Sequence, residues 1–109
     1  MRYFRKDGVT TGDTYEIACA HLYPGIHWSE EYLYFPDEED GIGTLIPYFS
    51  QVFDVFNYYG PEKVTLEQWS KIRQLCMADH PDSVDFFDAV DAWQKKENRN
   101  APYFWILGP

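Results

Sequence analysis

The sequence predicts an α+β fold: a small, mainly antiparallel sheet of N-terminal strands plus a C-terminal strand, packed against three helices. Three observations carry this. Short aromatic runs bracketed by turn residues occupy the first third of the chain and its last few residues. Apolar residues at helical spacing fill the stretch between them. A chain of 109 residues with 45% hydrophobic and 19% aromatic content suits a single core. One domain over residues 1–109 is therefore expected, with helices layered on one face of the sheet.

In order, Met1 to Arg5 is short and aromatic and fits a strand. Asp7-Gly8 and Gly12-Asp13 flank a turn region. Tyr15 to Leu22 reads two ways: Tyr15, Ile17, Cys19 and His21 alternate as in a strand, and Tyr15, Ala18, Cys19 and Leu22 also fit a helix face. The strand reading is favoured because turn residues bracket the run and Pro24-Gly25 ends it. Tyr32 to Phe35 is a second strand, stopped by Pro36. Thr44 caps the first helix, with Pro47 in its first turn, where a missing N–H costs least. Leu45, Phe49, Val52, Phe53 and Phe56 then follow helical spacing, and Ile46, Val55 and Tyr59 widen that face up to an exit at Gly60-Pro61. Thr65-Leu66-Glu67-Gln68 is a capping box, with Val64 placed to staple onto Trp69. It opens a helix to about Ala78 that turns Trp69, Ile72 and Cys76 inward. A third helix runs from Pro81 or Asp82 to about Glu97 on a stripe of Phe86, Phe87, Val90 and Trp93, with Asp85 and Asp88 away from it. Asn98 to Pro102 is a loop. Tyr103 to Leu107 is a buried strand that must return beside an early one.

Charge is the most informative functional feature. From Asp7 to Glu62 there are eleven acids and no lysine or arginine. Three bases precede that stretch, and after it six bases face seven acids, which accounts for the net charge of −9. Such asymmetry points to a surface that meets something positive. The wrong sign for a phosphate backbone and the lack of a glycine-rich phosphate loop argue against direct nucleic-acid binding. No run approaches the roughly 20 apolar residues that span a membrane. No secretory signal follows the basic start, so Cys19 and Cys76 read as reduced thiols of a cytoplasmic protein.

Catalytic and metal chemistry find no motif. His21 and His27 with Glu30 or Glu31 offer acid–base groups, without a nucleophile signature to join them. Cys19, His21 and His27 lack the paired spacings of a structural zinc site. A calcium loop aligned on Gly41 puts Pro36 and Pro47 at ligand positions, which excludes it. No cofactor, metal or catalytic residue is assigned. The densest acids, Glu30, Glu31, Asp37, Glu38, Glu39 and Asp40, are interleaved with aromatic side chains. With Trp28, Tyr32 and Tyr34 as amphipathic anchors, they form the predicted partner-binding face.

A small, acidic, aromatic-rich domain without catalytic motifs resembles bacterial toxin-immunity proteins, the partners of contact-dependent growth inhibition toxins and of nuclease bacteriocins. The resemblance is one of overall character along the whole chain. It implies a neutralising complex with a basic, nuclease-type toxin domain. Tyr58-Tyr59-Gly60 briefly resembles the barstar family, but Pro61-Glu62-Lys63-Val64 departs from its pattern, and no binding residue is carried over. Two other classes stay open: a nucleic-acid mimic that blocks a DNA-processing enzyme, and a small enzyme using His21 or His27.

Overall fold

The computed structural model describes residues 1–9, 12–22 and 27–109. Four strands, β1 (Thr14–Ala18), β2 (Leu33–Pro36), β3 (Glu62–Thr65) and β4 (Tyr103–Leu107), form one antiparallel sheet in the order β2-β1-β4-β3. Three helices, α1 (Ile42–Val52), α2 (Leu66–Asp79) and α3 (Val84–Lys96), complete the α+β fold. The C-terminal strand does return to an early one. β4 lies between β1 and β3, with Ile17 opposite Ile106 and Val64 opposite Phe104.

Directly opposed residues share a face of a sheet. Tyr15, Ile17, Phe35, Ile106, Phe104 and Val64 therefore lie on one side, and all are buried. This side meets the helices through aromatic edges. Phe104 packs at 5.3 Å from Trp69 and 5.6 Å from Trp93, and Phe35 at 6.2 Å from Phe86. The stripes predicted for α2 and α3 are the ones buried. The Thr65 capping box is formed in both directions, the Gln68 amide donating to Thr65 Oγ1 at 3.1 Å and the Thr65 amide to Gln68 Oε1 at 2.9 Å.

Four expectations need correction. Met1 to Arg5 is not a strand: only Phe4 bridges to Tyr34, and Arg2 turns away to the Asp40 carbonyl. The Tyr15–Leu22 run is a strand only as far as Ala18, and Ala20–Leu22 is a single 3-10 turn. The Pro24-Gly25 stop lies outside the described residues. The first helix starts earlier and ends earlier than its apolar spacing suggests. Gly41 is its N-cap, Thr44 Oγ1 instead donates to the Glu39 carbonyl, and Pro47 falls in the helix interior, with no N–H to offer the Gly43 carbonyl. Past Val52 the chain turns extended at Phe53. Asp54 and Asn57, which compete for backbone hydrogen bonds, favour this exit. Burial of Phe53 and Phe56 does not need the helix, because both rings still pack within 6.0 Å of one another or of Phe49. Val55 and Tyr59, expected on a helix face, are consequently 83% and 76% exposed. Finally, β3 was not foreseen. It has four residues and only Val64 is buried, too short an alternation to read.

The opposite side of the sheet is covered too, which explains why every residue of β1 and β2 is buried. Tyr34 on that side has Phe4 and Trp28 stacked at 6.5 Å and 5.9 Å.

Candidate protein interface

The acidic run leaves β2 at Pro36 and wraps into the start of α1. The sharp turn depends on Gly41, since a Cβ there would lie 2.1 Å from the Pro36 carbonyl oxygen. Glu38, Glu39 and Asp40 are exposed. Arg2 reaches across to pair with Glu38 and, at 3.3 Å, with Asp40, so the N-terminal segment braces the turn and offsets part of its charge.

Asp37 has a different partner. Its carboxylate accepts a 2.6 Å hydrogen bond from the Tyr58 hydroxyl. That bond ties the acidic turn to the 53–60 loop, which continues α1 in place of the predicted helix. The loop is held from behind. The Gly60 amide donates to the Asn57 carbonyl at 2.8 Å, the Asn57 amide to Glu62 Oε1 at 2.9 Å, and Gly60 has φ +67°, a conformation glycine adopts freely. Tyr58, 38% exposed, packs edge-on to both Tyr15 and Tyr59. Between the turn and the loop lies a shallow groove of about 340 Å³, with Asp37, Glu38 and Glu39 on its rim and Ile42, Ile46 and Tyr58 among its apolar walls. Acidic rim and exposed aromatic anchors are thus brought together.

The predicted site residues divide accordingly. Asp37, Glu38, Glu39 and Asp40 are together. Glu30 is exposed at the other end of β2, and Glu31 is half-buried beside it. Tyr32 and Tyr34 are not exposed anchors: both are fully buried, Tyr34 because β2 is covered on both faces. The Tyr34 hydroxyl donates to the Ser29 carbonyl at 2.6 Å. Burial, then Cys19 and Glu16 nearby, pushes the Tyr32 phenol up to about 12, and burial likewise raises Tyr34. Trp28 is the one predicted aromatic that is exposed, at 39%. Val55, Tyr58 and Tyr59 were missed as surface residues. Asp54 and Asn57 within the assumed helix were the available signal.

His27 and His21 have carboxylate neighbours. His27 Nδ1 is 2.7 Å from Glu16 Oε2, and His21 Nε2 is 3.9 Å from Glu31 Oε2. Glu16 is 1% exposed and Glu31 only partly buried. An imidazole oriented by a buried carboxylate can carry protons. The nearby thiol is not poised as a nucleophile, since burial and then Glu31 push Cys19 up to about 12. Cys19 and Cys76 are both free and buried. Among the described residues, no group of three or more His, Cys, Asp or Glu gathers to hold a metal ion, and no helix is long and apolar enough to cross a membrane. Comparison of the chain with protein-family models, with curated proteins and with solved structures finds no match.

Proposed function

We propose that this protein captures a basic protein domain, as the immunity partner of a nuclease-type toxin, through the face formed by the acidic turn and the 53–60 loop. The observation that carries the reading is the Tyr58–Asp37 bond. It fixes the Tyr58 ring, on which the exposed Tyr59 packs, against the carboxylates that line one groove. A nuclease active site must attract phosphates and is therefore positive. An acidic face complements it, steers the encounter towards about 10⁸–10⁹ M⁻¹s⁻¹ at low salt, and excludes the substrate. Tyrosines supply what charge does not, a desolvated centre that slows dissociation. The base-free stretch from Asp7 to Glu62 supports the same reading, because no lysine or arginine within it competes for these acids and only Arg2, from outside it, pairs with Glu38 and Asp40.

The test takes as its candidate partner a basic, toxin-type domain sought among the products of the genes that flank this one. Wild-type protein should inhibit it and bind it with strongly salt-dependent association. Glu39→Lys should slow association and flatten the salt dependence. Tyr59→Ala should act on dissociation, weakening binding about tenfold or more, roughly 1.4 kcal/mol or above. A wild-type protein that neither binds nor inhibits that domain would remove the proposal. Two well-folded variants that bind as wild type does would move the interface elsewhere.

A further inference from the structure

Trp28 has φ +60°, a left-handed conformation that is an outlier for a bulky residue. Strain of this kind persists only where surroundings impose it, and it gathers at functional positions. Here the constraint is one buried carboxylate. Glu16, in the middle of β1, is 1% exposed and holds two consecutive residues: Oε1 accepts the Trp28 amide at 2.6 Å, and Oε2 lies 2.7 Å from His27 Nδ1. Burying a carboxylate is costly. A leucine would fill a sheet position more cheaply, and covering Tyr34 requires neither a strained backbone nor an exposed indole. One face of the Trp28 ring stacks on Tyr34, with the planes 11° apart, and the ring remains 39% exposed.

We infer that Trp28 is a cation-binding anchor for a lysine or arginine side chain of the basic partner, and that Glu16 is the positioning residue that presents it. The inference rests on the capture of a basic domain proposed above. Its ligand chemistry comes from charge. Indole is the best aromatic acceptor of a cation. Among the described residues, the two aromatic rings that carry a cation, Tyr103 under Lys63 at 4.4 Å and Phe87 near Arg73 at 5.9 Å, draw it from the second half of the chain. Trp28 lies inside the base-free stretch and, although Arg5 and Lys6 share a hollow with Glu30, neither is among the cations placed over an aromatic ring, so a cation on the indole would come from another molecule. Position fits a single contact surface. Trp28 precedes β2 and the acidic turn follows it, and a four-residue strand spans only about 13 Å.

The experiment measures affinity for the basic toxin domain, and for an oligoarginine peptide, with Trp28→Leu, Trp28→Phe and Glu16→Leu. Trp28→Leu keeps apolar area but loses the cation site, and should weaken binding of the toxin domain about tenfold, with Trp28→Phe in between. Glu16→Leu exchanges a buried carboxylate for an apolar side chain in a sheet, and the partners it leaves, His27 and Trp28, are both exposed residues that water can reach. It should keep the circular dichroism spectrum and melting temperature, lose affinity to the same extent as Trp28→Leu, and raise acrylamide quenching of tryptophan fluorescence. Trp28 is the most exposed of the four tryptophans, Trp69 and Trp93 being buried and Trp105 partly buried, and Trp28→Leu serves as the reference for its share of the signal. Wild-type affinity in Trp28→Leu for both ligands, with the wild type binding the toxin domain, would overturn this inference and leave the capture reading intact. Loss in Trp28→Leu but not in a folded Glu16→Leu would overturn the positioning role. A wild type that binds oligoarginine through Trp28 but not the toxin domain would support the cation site while removing the capture reading.

Discussion

Asn98 is fully buried where three segments meet. Its Oδ1 accepts the Ala20 amide at 2.8 Å, and its Nδ2 donates to the Tyr103 carbonyl at 2.9 Å and to Gln94 Oε1. One side chain thereby joins the end of α3, the start of β4 and the turn after β1. Asn98→Ala would leave the Ala20 amide and the Tyr103 carbonyl without partners inside the core. At about 1–3 kcal/mol per orphaned group, the expected loss in urea unfolding is about 2–4 kcal/mol. Asn98→Asp should do no better, because a carboxylate cannot donate to Tyr103 or Gln94. A loss below about 0.5 kcal/mol would mean that water replaces these bonds. Asn98 was read only as the first residue of a loop. Its burial could not be read locally, since the partner that ties it to the turn after β1, Ala20, is 78 residues upstream. Phe86, by contrast, was legible from its stripe and is 1% exposed. The same limit governed the site. The exposed acids Glu38, Glu39 and Asp40 could be read from charge, whereas the burial of Tyr34 depends on Phe4 and Trp28 covering a second face of the sheet.

Among the elements, α2 and α3 were the most legible because each carries its own start and stop. α2 has its capping box, and α3 ends with Arg99 and Asn100 at φ +55° and +54°, the Asn100 amide closing back onto the Gln94 carbonyl at 3.0 Å. Thr65 also ends β3, so the cap fixes the corner between edge strand and helix. Thr65→Ala should cost about 1 kcal/mol, measured as a shift of the urea midpoint without change of slope. Thr65→Ser, which keeps the hydroxyl, should recover most of it. Equal stability of the alanine and serine variants would show that the cap contributes nothing. α1 was the least legible element. Its apolar spacing continues for two turns beyond its real end, because a bent segment buries Phe53 and partly buries Phe56 as well as a helix would. Periodicity reports which residues seek the core, not which backbone delivers them.

For the molecule as a whole, the core is unusually rich in phenols. Tyr15, Tyr32, Tyr34 and Tyr48 are all buried, and burial raises each of them above the ordinary value near 10. Tyr32 and Tyr48 reach about 12, with Tyr48 also held by its hydrogen bond to Asp79. The native state therefore keeps protons that the unfolded chain releases near pH 10. Stability should be full below about pH 10 and fall steadily as pH rises towards 12. Tyrosinate absorbance and circular dichroism should change together in that window. Ionisation of all tyrosines near pH 10 with an unaltered dichroism spectrum would contradict it. The strand order carries a further consequence. β4 sits in the interior of the sheet, between β1 and β3, yet it follows all the other strands and helices described in chain order. Until it emerges from the ribosome, β3 has no strand to pair with, and β1 has only β2. The nascent chain must hold Trp69, Phe87 and Trp93 with no Phe104 to receive them. Chaperone demand and susceptibility to proteases should thus be concentrated in the interval before β4 emerges and takes its place between β1 and β3.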